Sequence, residues 1–178
     1  MCCQFFVWYN LRRKLEFNRV TMDKDILKRK LHLQKVRNCL ANLKGVEVVR
    51  FCENDEHEKI YSIEQKYFPD IYFLVKTPDS IINIRTPEEK VIEWIESQTE
   101  IQSHVNYYFR CSGVWVEIQI TEIKVGIESL WKHAHYFGQK HSYGFILVDE
   151  QMENMIDVGF DSRDEYNFYY DRYLLSTV

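Results

Sequence analysis

The stretch Val105-Asn-Tyr-Tyr-Phe-Arg-Cys111, then Ser112-Gly113, then Val114-Trp-Val-Glu-Ile-Gln-Ile-Thr121 decides the fold. Both runs are rich in β-branched and aromatic residues, which suit a pleated, half-buried surface. A small polar residue followed by glycine between two such runs marks a hairpin. In the second run Glu117 alternates with Val116 and Ile118, so its carboxylate points to the opposite sheet face from those two.

Outward from this hairpin the chain alternates between helical and extended patterns. Asp23–Leu43 carries Ile26, Leu27, Leu31, Leu33, Val36 and Leu40 at near-helical spacing, with Asp23 as the N-cap and Gly45 after the end. Val46–Cys52 reads as a buried strand. Asn54-Asp55 opens a helix expected to run through Tyr67 and stop at Pro69. Ile71–Val75 and Ile81–Ile84 read as strands. Thr86-Pro87-Glu88-Glu89 is a helix start, with Thr as cap and Pro in the first position, and that helix should reach about Ser97. Ile123–Phe137 reads as a helix with Val125, Ile127 and Trp131 inward, and Tyr143–Val148 as a strand. Asp164–Leu175 places Tyr166, Tyr169, Tyr170 and Tyr173 on one face of a helix. The expected fold is α/β in the α+β sense: a mixed, roughly five-stranded sheet flanked by helices, in one domain over residues 1–178, with 150–178 as a C-terminal helical extension.

Composition bounds the function. With 178 residues, 46% of them hydrophobic and 15% aromatic, the chain can bury a core. Its five cysteines lack Cys-x-x-Cys spacing and read as reduced thiols, so a soluble, cytoplasmic protein is expected. No apolar run is long enough to span a membrane, and no membrane partner is expected. Met22 is an alternative translation start to Met1. Residues 1–44 hold eleven Lys/Arg against three Asp/Glu, a balance of +8, and the rest hold twelve against twenty-four, a balance of −12. This asymmetry fits either an anionic ligand near the N-terminal part or a solvated basic helix beside an acidic remainder.

Several common sites are absent. There is no phosphate loop, no dinucleotide-binding glycine fingerprint and no Gly-x-Ser-x-Gly elbow. His133 and His135, two apart on a helix, point about 200° away from each other and cannot share a metal ion.

Four segments, in order and spacing, resemble the RelA/SpoT-type alarmone synthetase family. Arg19-Val20 followed by Lys28-Arg29-Lys30 is similar to the family's basic lead-in. Asn42-Leu43-Lys44-Gly45-Val46-Glu47-Val48-Val49 resembles its Asp-x-x-Gly-(Ile/Val)-Arg strand, and Phe51-Cys52-Glu53-Asn54-Asp55 the acidic turn after it. Ile101-Gln102-Ser103 stands where the family has Gly-Tyr-x-Ser, and Glu117-Ile118-Gln119-Ile120-Thr121 where it has Glu-(Ile/Val)-Gln-Ile-Arg-Thr. His133 falls at a family histidine in the following helix. The resemblance covers Arg19–Gln139.

The resemblance implies a nucleotidyltransferase-like fold and transfer of pyrophosphate from ATP to the 3′-hydroxyl of GDP or GTP, a GTP diphosphokinase activity. Phosphoryl-type transfer depends on positioning two nucleotides and neutralising charge. On this mapping Glu117 is catalytic and, with Asn42, binds Mg2+. Arg19, Lys28, Arg29, Lys30, Gln119 and His133 bind substrate. Four positions depart from the pattern: Asn42 replaces an Asp, Glu47 an Arg, Ile101 a stacking Tyr and Thr121 an Arg. Two readings follow. One is a divergent pyrophosphokinase with ATP, GDP or GTP and Mg2+. The other is a catalytically inactive module that binds a nucleotide, RNA or a protein. DNA is not an expected partner; a homo-oligomer or a protein docked on the tyrosine-rich C-terminus is.

Overall fold

A computed structural model describes residues 24, 26–52, 54–73, 76–133, 143–160 and 166–175. The chain divides into two units, Met1–Asn38 and Cys39–Val178. In the first, the described residues form helix α1, which spans 26–40 and so ends just inside the second.

The second unit is built on one sheet. Its elements are β1 (Val46–Phe51), α2 (Asn54–Phe73), β2 (Ser80–Asn83), α3 (Glu88–Gln98), β3 (Asn106–Cys111), β4 (Val114–Ile120), α4 (Ile123–His133), β5 (Phe145–Asp149), β6 (Asn154–Phe160) and β7 (Asn167–Leu174). Seven strands lie in the order β1-β4-β3-β5-β6-β7-β2. Each neighbouring pair is antiparallel. The α+β class therefore holds, while the described sheet is antiparallel and has seven strands where a mixed sheet of about five was expected.

The β3–β4 hairpin is the seed of the sheet, as its sequence indicates. Ser112 and Gly113 both take positive φ, 50° and 76°, the backbone that a two-residue turn between twisted strands requires. Side chains then alternate across the sheet. Tyr108 and Trp115 join Val148, Met155 and Tyr173 on one face, against Ile60, Ile63 and Phe68 of α2. The other face carries Phe109, which meets His133 of α4 edge-on at 4.6 Å, and Phe168, which meets Trp131 at 5.3 Å. Helices therefore cover both faces, and strands buried on both sides lose the polar–apolar alternation of a one-sided sheet.

Gly45 fixes the start of α4. Its φ is +64°, and a Cβ there would sit 2.8 Å from the Gly126 nitrogen. Its carbonyl accepts the Thr121 N–H at 2.9 Å, which ties the start of β1 to the end of β4.

Four elements depart from the sequence-based expectation. Asp164–Leu175 is not a helix: Asn167–Leu174 is strand β7, and with β6 it replaces the expected helical extension of 150–178. Tyrosines at 169, 170 and 173 suit a helical stripe, yet they equally populate both faces of a strand when each face is covered. Hydrogen-bonding partners β6 and β2 decide the matter. The stripe is core as a result: Tyr169, Tyr170 and Tyr173 are buried and Tyr166 alone of the four is exposed, so these side chains do not form a docking surface.

Helix α2 continues through Pro69 to Phe73, so 71–73 is helical where a strand was expected, and 74–75 lie outside the described residues. Proline costs a helix one hydrogen bond and a clash. Burial of Ile60, Ile63 and Phe68 against the sheet offsets that cost. Helix α3 is capped by Pro87 with no side-chain bond, one residue later than the Thr86 cap expected. In α4, Ile127 and Trp131 are buried as expected, but Val125 is exposed, and 134–137 lie outside the described residues.

Candidate functional site

Glu117 sits in the middle of β4, at 6% exposure one of four buried polar residues among those described. Its register partners are Arg50 on β1 and Tyr108 on β3. Arg50 Nε lies 2.6 Å from Glu117 Oε2, an ion pair in which that buried oxygen accepts no hydrogen bond. Asn106 Nδ2 donates to Glu117 Oε1 at 2.6 Å. Gln119 Nε2 donates in turn to Asn106 Oδ1 at 2.7 Å. One short chain of contacts thus runs Arg50–Glu117–Asn106–Gln119 across three strands.

Arg50 is the member that sequence reading missed. Position 47, where the family pattern asks for arginine, carries Glu47, which pairs in register with Gln119. The register then shifts between Val48 and Arg50. This irregularity brings Arg50 onto the Glu117 face, three residues from the expected position. A bulge of this kind leaves no mark in the periodicity of a short strand.

The other expected site residues scatter. Asn42 lies exposed in the turn after α1, its N–H donating to the Cys39 carbonyl. It precedes Val46, which pairs with Ile120, so Arg50 rather than Asn42 stands across from Glu117. His133 is buried beside Phe109, on the opposite sheet face from Tyr108 and Glu117. Burial pushes its pKa below the ordinary histidine value, and its Nδ1 contacts the Leu130 carbonyl. Lys28, Arg29 and Lys30 are exposed on α1 in the first unit. Arg19 lies outside the described residues.

The residues present do not suit Mg2+. A hard divalent ion seeks several free oxygen ligands. Glu117 offers one carboxylate whose two oxygens already face a guanidinium and an amide N–H. Among the described residues no group of three or more His, Cys, Asp or Glu is placed to hold a metal.

Removing the cation tests this reading. Arg50→Ala should destabilise the fold by about 2–3 kcal/mol, because it strands a buried carboxylate. That is below the cost for a fully buried pair, since the Arg50 side chain is 42% exposed. Adding Glu117→Gln should recover more than half of the loss in urea unfolding. Simple additivity of the two losses would refute a structural pair.

A second polar cluster was invisible in the sequence. Asp157 on β6 and Asp171 on β7 are register partners, so two carboxylates face each other inside the sheet. Tyr169 Oη donates to Asp157 Oδ2 at 2.9 Å. Lys76 Nζ lies 3.2 Å from Asp171 Oδ1 and 2.6 Å from Asp79 Oδ2. Burial pushes the Asp157 carboxyl up to about 7, the Asp171 charge adding to the rise while the Tyr169 hydroxyl opposes it. Burial also raises Asp171 and, with the Asp157 charge, the Tyr169 hydroxyl. Asp79 is held below the usual carboxylate range: the Arg172 N–H and Lys76 outweigh the upward push of its burial. The aspartate inside Met155-Ile-Asp-Val158 was a signal, but its partner could be found only once Asn167–Leu174 was known to be a strand.

A cavity of about 440 Å3 is lined from β3, β6 and β7, the turn between β5 and β6, and the segment before β3. Ile101, Tyr107 and Tyr170 contribute apolar wall, and Glu100, Asp149 and Arg172 charge. Arg172 donates to Asn154 Oδ1 at 3.0 Å and lies 3.6 Å from Glu100. Ile101, at the position of the family's stacking tyrosine, is buried and lines the cavity with Tyr107, whose side chain points to the opposite sheet face from Tyr108 and Glu117.

No protein-family model, curated protein or solved structure matches this chain. Among the described residues no helix is long and apolar enough to cross a membrane.

Proposed function

We propose that this chain is a non-catalytic binding module and that Glu117 is a structural residue in it. The carrying observation is the pairing of Glu117 with Arg50 and Asn106. A carboxylate neutralised by a neighbouring guanidinium, and bonded through its second oxygen, has little left to give a metal or an attacking hydroxyl. Pyrophosphate transfer would require both contacts to open and a second acid to arrive, and Asn42 is neutral and out of register. The order of the four motifs is what speaks for the pyrophosphokinase reading; the site chemistry speaks against it.

Charge narrows the ligand class for the sheet-bearing part. Residues 45–178 carry a balance of −12, which repels phosphate and attracts a basic surface. A protein partner with a basic face fits this region better than a nucleotide or RNA.

Purified full-length chain, incubated with Mg2+, labelled ATP and GDP or GTP beside Glu117→Gln, should give no turnover in either protein. Calorimetric titration with ATP or GTP should show no saturable heat. Turnover in the wild type that vanishes in Glu117→Gln would overturn the proposal and restore the pyrophosphokinase. Saturable nucleotide binding without turnover would keep the binding module and replace its ligand class.

A further inference from the structure

We propose that the cavity of about 440 Å3 is the pocket for a lysine or arginine side chain of a protein partner, with Asp149 and Glu150 taking its cation and the apolar floor taking its stem. This rests on the reading of the chain as a binding module for a basic surface, and it names the place on the sheet where that surface is anchored. The volume lies within the range of ligand-taking cavities, about 300–1,000 Å3.

The floor is one face of the sheet. Tyr107 of β3 is the register partner of Asp149, at the end of β5, and Ile156 of β6 is the register partner of Arg172 of β7. Leu147 pairs with Ile156, and Asp149 follows Leu147 by two, so these side chains project to the same side. That side is opposite to Tyr108, Met155 and Tyr173 of the Trp115 cluster. Ile101 and Val105, before β3, and Glu150, in the β5–β6 turn, complete the lining. Ile101, Val105 and Ile156 give an alkyl stem apolar surface to lie against.

Charge selects a cation. Glu100, Asp149 and Glu150 line the cavity against a single base, Arg172. Arg172 is already answered: its Nε and Nη2 both donate to Asn154 Oδ1, at 3.2 and 3.0 Å, and its Nη1 lies 3.6 Å from Glu100. Asp149 and Glu150 have no cation opposite them among the described residues. Asp149 is nonetheless fixed in place, because its two oxygens accept the Glu153 N–H and the Asn154 side-chain amide, both at 2.7 Å. Each of those oxygens keeps a lone pair for a charge-assisted bond.

Tyr170 is an independent pointer to a ligand. It lines the cavity and is 6% exposed, yet its hydroxyl has no hydrogen-bond partner among the described residues. Buried hydroxyls are nearly always bonded, so an orphan beside a cavity marks a contact that a ligand completes. A tyrosine oxygen accepts from ammonium or guanidinium, and the ring faces of Tyr170 and Tyr107 attract a cation. A phosphate or carboxylate would meet the two uncompensated acids instead.

The test is an NMR titration of the full 15N-labelled chain with Nα-acetyl-arginine methylamide, Nα-acetyl-lysine methylamide and the neutral Nα-acetyl-citrulline methylamide. The arginine or the lysine compound should give saturable shifts at Tyr107, Asp149 and Ile156, with affinity at least about tenfold above that of the citrulline compound. Asp149→Asn should weaken this binding about tenfold. Tyr170→Phe removes a hydroxyl that bonds nothing else in the protein, so it should fold normally and weaken binding about three- to tenfold. It keeps the test decisive if Asp149→Asn does not fold. Citrulline bound as tightly as arginine and lysine, or full affinity in both variants, would overturn the proposal. Free arginine bound about tenfold more tightly than its capped form would make the occupant a metabolite and overturn it as well. Hexalysine, run in parallel, separates the pocket from the reading beneath it: binding that leaves the cavity signals unmoved sinks the pocket and keeps a basic partner, and no binding sinks both.

Discussion

Asp157→Asn should raise the stability of this protein at pH 8 and flatten its pH dependence between pH 5 and 8. The sign follows from where the proton sits. Burial pushes the Asp157 carboxyl of the folded chain up to about 7, against the 3.8 of a free side chain. Between those values the folded state holds a proton that the unfolded state has lost, so stability falls as pH rises through this window. Above the window the folded state carries a constant penalty, which that displacement puts at about 4 kcal/mol. Relaxation around Asp171, Tyr169 and Lys76 will reduce it, so the variant should gain about 2–4 kcal/mol at pH 8 and much less at pH 5.

Asparagine keeps an oxygen to accept the Tyr169 hydroxyl and removes the like charge opposite Asp171. Urea unfolding at pH 5 and pH 8, wild type against variant, reads the effect directly. A variant equally destabilised at both pH values would mean that Asp157 is ionised and well solvated, contrary to its 3% exposure. Asp79 works in the opposite direction: its carboxyl lies below the ordinary value, so its contribution is present above that value and lost as pH falls through the folded one. The wild-type stability maximum should therefore lie on the acid side of neutrality, where Asp157 still holds its proton and Asp79 has already lost its own.

Trp115→Ala should cost about 3–5 kcal/mol, the range for deleting a large aromatic from a packed core. Trp115 is fully buried, the largest such side chain among the described residues. It belongs to one buried cluster with Ile60, Ile63 and Phe68 of α2 and Tyr108, Val148 and Met155 of the sheet. Its indole N–H also donates to Glu64 Oε2 at 3.2 Å, while Arg110 holds the other oxygen of that carboxylate. Trp115→Phe separates the two contributions. It keeps most of the ring and loses the donor, and should cost about 1–2 kcal/mol. If Phe proves as damaging as Ala, the bond to Glu64 rather than packing holds α2 on the sheet. The measurement is again urea unfolding, with the slope checked for constancy.

These expectations rest on features of unequal legibility. The β3–β4 hairpin was readable because its code is local: two β-branched, aromatic runs and a Ser-Gly pair that tolerates positive φ. Strand β1 and helix α3 were readable for similar reasons, and the α+β class followed. The candidate site was legible only as residue types. Glu117 was correctly seen to face away from Val116 and Ile118, and it is joined to Gln119 through Asn106, but the cation that completes the group is Arg50, delivered by a register shift that no spacing rule announces.

By itself, then, the sequence determined which segments could extend, which could coil, and where Glu117 would point. The tertiary structure alone decided three further things. It decided that the tyrosine-rich end is strand β7, because β6 and β2 satisfy its backbone and both faces are covered. It decided that α2 runs past Pro69, because Ile60, Ile63 and Phe68 gain more from burial than the proline costs. And it decided which groups meet: Arg50 with Glu117, and Asp157 with Asp171. The first of these pairs is 67 residues apart in the chain. Contacts of that range are set by strand pairing and layer packing, which depend on the whole set of elements at once, whereas propensity and periodicity report on a window of a few residues.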